Sequence, residues 1–251
     1  MPPLPGAPRF DGSMTRILDY AERQLGALVE GGADGVIVEN FHDVPFYPDQ
    51  VPPETTAAMS AIARELVRAT SLPIGVNVLR NDAHSALAVA VASGARFVRV
   101  NVHTGVAVSE QGMLHGQSHH TLRIRAALRA DVAIFADVGV KHAAPLAGRG
   151  LVAETVDNTE RGLADALIVS GERTGSITSP EDLRAVKDRS PAPVLIGSGA
   201  TVHNVGDLAE ADGFIVGTHF KAGGDVDTAT GLRLIDPARV SAFVREVRSF
   251  R

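Results

Sequence analysis

Residues 194–218 read VLIGSGATVHNVGDLAEADGFIVGT, and this stretch decides the fold. Two short apolar runs, 194–197 and 214–217, each end in glycine, and a polar segment separates them. Short runs rich in valine and isoleucine between turn residues are typical of buried parallel strands. A strand that ends in glycine, a polar crossover and a second strand together indicate a βαβ unit.

The same alternation runs through the whole chain of 251 residues. Five further apolar runs precede this stretch, at 35–39, 74–79, 97–102, 132–138 and 166–170. Segments suited to helices lie before, between and after the runs, at 15–30, 54–69, 83–92, 119–130, 158–164, 181–187, 204–210 and 238–248. We therefore predict one α/β domain over residues 1–251, folded as a (β/α)8 TIM barrel.

The start of the sequence departs from a complete barrel. A closed barrel has eight strands, whereas this pattern contains seven. Pro3-Leu4-Pro5-Gly6 resembles the loop that follows a first strand, not the strand itself. We expect the first strand to be truncated or missing at the N-terminus, with a short apolar strand upstream of Met1. Its absence would leave two strand edges unpaired.

Composition narrows the classes of function. The formal net charge is -5 and the basic residues are scattered, which argues against a nucleic-acid partner. No run approaches the roughly 20 apolar residues of a membrane helix, and the first residues do not resemble a signal peptide. The absence of cysteine excludes disulfides and thiolate catalysis. We expect a cytoplasmic protein without membrane insertion, and a homo-oligomer stays open.

The glycine-bearing ends of the last two runs suit a phosphate group. A phosphate needs several backbone N–H groups directed at one point, and glycine lets the chain approach closely. The loops after the seventh and eighth strands are the usual phosphate position in this fold, and a helix near 203–208 would add a favourable dipole. The predicted phosphate-binding residues are Gly197, Ser198, Gly199, Gly217 and Thr218. Alternatively, these glycines only make tight turns.

Polar residues at the other strand ends are the candidates for chemistry, because barrel active sites lie there. Asp137 and Lys141 could act as base and acid, or Lys141 could form a Schiff base. The alternative is an ion pair that closes the barrel mouth, or a surface lysine. Glu39 ends an apolar strand, so it is a candidate base or ligand for a sugar hydroxyl. Alternatively, Glu39 is a buried strut to Asn40 or Asn77.

Further candidates complete this site. His103 is a candidate for acid–base work or ligand contact. The predicted substrate-positioning residues are Asn77, Asn101, Arg80 and Ser170. The glycine-containing loop 104–118 could be a mobile lid or a disordered crossover. No cofactor is predicted, although Glu39, Asp137 and His103 could hold a divalent metal without any close-spaced ligand motif.

Eight segments together resemble the BtpA/SgcQ family. They read PPLPGAPRF (2–10), DGVIVENFHDVPF (34–46), VPPET (51–55), FVRVNVHTG (97–105), FADVGVKHA (135–143), LIVSGERTG (167–175), LIGSGATVHN (195–204) and GFIVGTHFK (213–221). The resemblance covers essentially the whole chain in the same order. It departs at the start, where the family usually has an apolar strand ending in histidine and this sequence has Met1.

The resemblance implies a barrel and two different functions. The family name comes from a cyanobacterial role in photosystem I biogenesis, which implies a non-catalytic assembly factor with an exposed interaction patch. Members in bacteria without a photosystem imply an enzyme that acts on a phosphorylated sugar- or nucleoside-like compound. The polar strand ends favour the enzyme. We therefore expect a lyase, aldolase or isomerase whose partner is a small phosphorylated molecule.

Overall fold

The fold is described from a computed structural model over residues 1–140, 142–146, 149–171 and 178–250. The strands are β1 Val36–Glu39, β2 Ile74–Asn77, β3 Phe97–Val100, β4 Val106–Ser109, β5 Gly112–His115, β6 Ala133–Val138, β7 Ala143–Pro145, β8 Ala166–Val169, β9 Val194–Ile196 and β10 Gly213–Phe214. The helices are α1 Met14–Glu30, α2 Pro53–Ala69, α3 Ala83–Ser93, α4 Ser118–Ala127, α5 Gly150–Val156, α6 Pro180–Lys187, α7 Thr218–Lys221 and α8 Pro237–Ser249. A π-helical turn spans Asp157–Arg161, and a 3-10 turn spans Val205–Leu208.

Seven strands form one curled parallel sheet in the order β1-β2-β3-β6-β8-β9-β10. The helices cover it, and the predicted α/β barrel is confirmed as an incomplete one. Within the described residues β1 and β10 are the two edges of this sheet, so the barrel is open between them. The expected strand upstream of Met1 stays a prediction. None of the described helices is long and apolar enough to cross a membrane.

The period of two along β3 sorts its side chains between the core and the barrel interior. Val98 and Val100 belong to the buried apolar cluster that includes Leu87 and Ala90 of α3. Arg99 alternates with these two valines and lines the interior cavity instead. The strand therefore carries charge inward, while its valines anchor the covering helix.

Two stacked aromatic rings lie in the lower interior of the barrel and line its cavity. Phe97 and Phe135 stack with their ring centres 4.6 Å apart. A Cβ at Gly75 would lie 2.1 Å from the Phe97 ring, so only glycine leaves room for it there. The polar strand ends lie above this apolar layer.

The loop 104–118 contains a β-hairpin, so it is not a disordered crossover, and the mobile lid stays a prediction. Strands β4 and β5 pair antiparallel, and β7 adds a third strand to form a small sheet. Gly112 has a φ of 97° directly after the two-residue turn, a conformation that glycine adopts without strain. Ala107 and Leu114 are buried against Val102, which fixes the hairpin to the end of β3.

Two predicted helices differ from the structure. The segment 158–164 holds no α-helix, because α5 ends earlier and continues into the π-helical turn. The segment 204–210 contains only the four-residue 3-10 turn. Asn204 explains this change, since its side chain accepts from the backbone of Thr201 at 2.7 Å and donates to the carbonyl of Gly199 at 2.9 Å. Such local side-chain bonds compete with an α-helical turn.

Candidate functional site

A cavity of about 1810 Å³ lies inside the curled sheet and reaches both edge strands. At the carboxyl ends of the strands it is lined by Glu39, Asn77, Arg99, Asn101 and Asp137. The glycine-bearing ends 197–199 and 217–218 line the same cavity. The two groups of predicted site residues therefore share one space.

A buried ion pair is the centre of the polar group. Arg99 donates from Nε to Oδ1 of Asp137 and from Nη2 to Oδ2, each at 2.9 Å. Asn101 Nδ2 adds a third bond to Oδ2 at 2.8 Å. The side chain of Asp137 is 0% exposed and that of Arg99 is 8% exposed. Asp137 thus accepts three hydrogen bonds that orient Arg99 and Asn101.

Arg99 keeps its charge in spite of burial. Burial lowers the pKa of its guanidinium, but the charges of Asp137 and Glu39 and their hydrogen bonds outweigh this effect and raise the pKa. A permanent cation is therefore buried in the wall of the cavity, where charge acts more strongly than in water.

Glu39 is the more accessible carboxylate of the site. Its Oε1 lies 3.5 Å from Nη1 of Arg99, and its side chain is 25% exposed. The partner of Glu39 is thus Arg99. Asn40 instead accepts from the amide of Leu79 at 2.7 Å and donates to Asp43 at 3.2 Å. Glu39 combines a cationic neighbour with access to the cavity.

Asn77 joins the neighbouring strands β2 and β3. Its Nδ2 donates to the carbonyl of Arg99 at 3.0 Å and to Oδ1 of Asn101 at 3.1 Å. Its Oδ1 is buried and accepts no hydrogen bond from any described residue. Asn77 lines the cavity, so a hydrogen-bond donor on a bound ligand would satisfy this buried oxygen.

The remaining candidates are placed differently. Arg80 lines the cavity, and burial lowers the pKa of its guanidinium. His103 is 1% exposed and its Nε2 lies 2.8 Å from the carbonyl of Gly162, outside the cavity lining. Ser170 is also absent from the lining, although its Oγ lies beside Gly197. Lys141 lies outside the described residues.

Among the described residues, the candidate metal ligands do not lie together. No cluster of three or more histidine, aspartate or glutamate side chains in the described part of the chain could hold an ion. His103 faces Gly162, whereas Asp137 faces Arg99, so these two side chains point to different surroundings.

The two glycine-bearing ends leave backbone donors available. Among the described residues, none accepts a hydrogen bond from the amides of Gly199, Ala200, Thr218 or His219. Gly199 has a φ of 75°, which glycine adopts without strain. The adjoining helical turns contain only four residues each, so the expected helix dipole is not part of this arrangement. The donors are individual amides.

Gly197 also has a packing role. A Cβ there would lie 2.4 Å from Cγ2 of Ile168 and 2.5 Å from Oγ of Ser170. A Cβ at Gly217 would meet nothing within 4 Å. Close packing therefore requires glycine at 197, whereas position 217 has free space beside it.

Arg99 and Lys221 are charged residues of the cavity lining that the sequence analysis did not include among the candidates. Arg99 lies within an apolar run, but its spacing of two from Asn101 places both on the same face of the chain. Lys221 lines the cavity three residues after Thr218. The sequence could have pointed to Lys221 because lysine is rare in it. The three lysines are Lys141, Lys187 and Lys221.

Solved structures with the same fold are TIM-barrel-like enzymes. Thiamine phosphate pyrophosphorylase from Pyrococcus furiosus matches with a TM-score of 0.61 and 17% identity, over 94% of this chain and 93% of that chain. N-(5'-phosphoribosyl)anthranilate isomerase from the same organism matches with a TM-score of 0.56 and 16% identity, over 90% and 93%. At these identities the likeness shows the fold alone.

Sequence relatives are much closer. The photosystem I biogenesis protein BtpA of Synechocystis is 48% identical over 244 residues, which are 96% of this chain and 83% of that protein. An uncharacterized protein of Thermococcus kodakarensis is 42% identical over 92% of this chain and 87% of that protein. The model of the BtpA family matches residues 1–249. The chain therefore belongs to the BtpA family.

Proposed function

We propose that this protein is an enzyme acting on a small phosphorylated sugar- or nucleoside-like substrate, in the lyase, aldolase or isomerase class. One observation carries the proposal: the glycine-bearing ends 197–199 and 217–218 line the same cavity as Glu39, Arg99 and Asp137. A candidate anchor for an anion and candidate groups for proton transfer thus line one cavity.

The phosphate would be held by backbone amides. The amides of Gly199, Ala200, Thr218 and His219, which donate to no described residue, supply donors on two adjacent strand ends. Anchoring the phosphate fixes the rest of the substrate against the polar residues, so that binding energy from the remote group serves the reaction.

The proton chemistry would centre on Glu39. Its carboxylate reaches the cavity and lies beside Arg99, whose charge can stabilise an oxyanion that develops on the substrate. Asp137 acts on the substrate through Arg99, which it holds with two hydrogen bonds. Asn77 and Asn101 would position hydroxyl groups.

The printed names of the structural neighbours agree with this proposal. Thiamine phosphate pyrophosphorylase and N-(5'-phosphoribosyl)anthranilate isomerase are both named for phosphorylated compounds. A shared fold does not establish a shared function, so the proposal for this chain rests on the residues of its cavity.

The alternative is a non-catalytic photosystem I biogenesis factor. It rests on the name of the Synechocystis relative, while the relatives from Thermococcus kodakarensis and Caenorhabditis elegans carry names that assign no function. An assembly factor needs an exposed apolar surface. Val108, Met113 and Leu146 on the small sheet are exposed and would supply one.

A paired ligand screen tests the enzyme. Sugar phosphates and nucleotides would be added to the protein in a thermal-shift assay beside their dephosphorylated forms, and stabilising compounds would then be followed by NMR for conversion. We expect phosphorylated members to raise Tm and at least one to be converted, with conversion at least tenfold slower in Glu39→Gln. Stabilisation by no phosphorylated compound would contradict the proposal, as would conversion that Glu39→Gln leaves unchanged.

A further inference from the structure

Lys221 differs from the other lysine that the structure describes. Lys187 pairs with Asp212 on the outer surface of the barrel. Lys221 is half-buried and lines the cavity together with Glu39. Since the chain has three lysines in all, a reactive amine in this cavity can be tested with unusual clarity.

The surroundings of Lys221 hold its amine in place. Its Nζ lies 3.5 Å from the hydroxyl of Tyr20 and 6.0 Å from the centre of that ring. The Tyr20 hydroxyl donates to the carbonyl of Arg233 at 2.9 Å, so its oxygen is free to accept from Lys221. Burial raises the pKa of Tyr20 to about 12, and the phenol therefore stays protonated at neutral pH.

The amine also lies close in sequence to a glycine-bearing end. Lys221 is the last residue of α7, the four-residue helix that begins at Thr218. A phosphate held at Thr218 would place the remaining atoms of a small substrate in the part of the cavity that Lys221 lines. Burial lowers the pKa of Lys221, while the charge of Glu39 opposes this shift. Burial thus increases the share of neutral amine, the form that attacks carbonyl carbon.

We propose that Lys221 forms an imine with the carbonyl carbon of a phosphorylated aldehyde or ketone whose phosphate lies at 197–199 and 217–218. This inference rests on the proposed function and names the nucleophile of that site. The phosphate-anchored carbonyl compound is the class of ligand that the cavity would take.

The step balances without any added reagent. The neutral Nζ of Lys221 bonds to the carbonyl carbon, and the electron pair of the C=O bond moves to oxygen. The nitrogen loses a proton, the oxygen gains one and the carbinolamine forms. Loss of water then gives the imine. Glu39 is the carboxyl group of the cavity that would carry the proton between the two atoms.

A second amine in the cavity must be distinguished from Lys221. The amino group of Met1 donates to the carbonyl of Glu39 at 2.8 Å. Burial and the charge of Lys221 lower its pKa to about 5. Met1 is therefore the internal competitor, and the position of an adduct decides between the two.

Reductive trapping tests the proposal. The full-length protein would be incubated with glycolaldehyde phosphate and sodium cyanoborohydride, with unphosphorylated glycolaldehyde in a parallel reaction, and the adducts located by peptide mass spectrometry. We expect one adduct on Lys221, formed at least tenfold faster with the phosphorylated aldehyde. Lys221→Arg should lose it, and the matched control Lys187→Arg should keep it. Adducts mainly on Met1, Lys141 or Lys187, or equal rates for both aldehydes, would overturn the inference.

Thermal shift on the same variants separates this inference from the proposed function. If glycolaldehyde phosphate or another phosphorylated compound stabilises the protein but Lys221 forms no adduct, the imine is wrong and the phosphate site stands. If no phosphorylated compound stabilises the protein and trapping shows no phosphate preference, both proposals fail.

Discussion

Arg99 and Asp137 form a buried pair in which two parallel hydrogen bonds of 2.9 Å join the guanidinium to the carboxylate. Asn101 supplies a third donor to the same carboxylate at 2.8 Å. The two carboxylates beside Arg99 therefore differ in their surroundings. Asp137 is held by three donors and its side chain is 0% exposed, whereas the side chain of Glu39 is 25% exposed.

Removing the charge of Asp137 should strongly destabilise the fold. Asp137→Asn would leave the buried guanidinium with Glu39 as its remaining anionic partner at 3.5 Å. We expect the free energy of unfolding to fall by about 3 kcal/mol, because breaking a buried pair leaves an uncompensated charge. Urea denaturation measures this change. A fall in the free energy of unfolding of less than about 1 kcal/mol would show that Arg99 and Asp137 do not form a buried ion pair.

A double variant separates the structural role of the pair from its functional role. Arg99→Met with Asp137→Leu replaces both charges by apolar side chains of similar length. Since buried pairs are often replaced by apolar groups at little cost, most of the stability should return. Conversion of the phosphorylated substrate should not return, because the charge of Arg99 is still absent. Recovery of conversion in this variant would mean that Arg99 has no part in the reaction.

Gly197 and Gly217 should respond oppositely to the same small change. Gly197→Ala places a methyl group 2.4 Å from Ile168 and 2.5 Å from Ser170, so we expect a loss of about 1–3 kcal/mol from overpacking. Gly217→Ala meets no atom within 4 Å and should stay within about 0.5 kcal/mol of the wild type. Thermal unfolding of both variants makes the comparison. Equal losses at the two positions would contradict the packing described.

How much of this site the sequence could predict depends on where each residue lies along its strand. Glu39, Asn77 and Asp137 fall within the ends of apolar runs, and the rule for parallel barrels places such ends together. Arg99 lies between two valines, and only the period of two shows that it faces inward with Asn101. The pairing of Glu39 with Arg99 could not be predicted, because Glu39 lies on β1 and Arg99 on β3, with β2 between them.

The hairpin and the short helical turn are segments whose local structure the sequence pattern did not predict. Glycines in 104–118 suggested a mobile loop, whereas Gly112 fixes a tight turn between two strands that bury Ala107 and Leu114. The periodicity of 204–210 suggested a helix, but the side chain of Asn204 binds the local backbone instead. In both cases individual hydrogen bonds and contacts outweigh the pattern.

His103 should make folding sensitive to mild acid. Burial lowers its pKa below the ordinary value of 6.5, so the unfolded chain takes up a proton before the folded protein does. Stability should therefore fall as the pH drops below 6.5, by up to about 1.4 kcal/mol per pH unit for this group. His42, whose pKa burial lowers to about 4, adds to the same trend.

His103→Gln isolates this contribution. The glutamine amide can donate to the carbonyl of Gly162, which lies 2.8 Å from Nε2 in the wild type, but it does not titrate. Urea denaturation between pH 7 and pH 5 should show a shallower decline of stability in the variant. An identical decline in both proteins would place the acid sensitivity elsewhere.

The open side of the barrel should accept an engineered strand. Met1 donates to the carbonyl of Glu39 at the carboxyl end of β1, so residues added before Met1 can run along the cavity between β1 and β10. About eight apolar β-branched residues would span roughly 26 Å. We expect this extension to raise Tm by at least about 5 °C, because it covers two open edges and an apolar cavity.

A glycine–serine extension of the same length is the control for that experiment. It adds the same number of residues and removes the same buried amino group, but it cannot fill the cavity with apolar side chains. Hydrogen exchange would show new protection in β1 and β10 only with the apolar extension. Equal Tm values for both extensions would mean that the two edges do not form a strand-sized opening.

The phosphate site at 197–199 and 217–218 can be tested by calorimetric titration. The protein would be titrated with a phosphorylated ligand from the screen and, separately, with the dephosphorylated form of that ligand. Gly217→Asp adds a negative charge where the structure has free space, and Gly217→Asn adds nearly the same volume without charge. We expect the wild type to bind the phosphorylated form at least tenfold more tightly than the dephosphorylated form. Gly217→Asp should weaken that binding at least tenfold, with a much smaller effect from Gly217→Asn. Equal affinity for both forms, or equal effects of the two substitutions, would contradict a phosphate site at these strand ends.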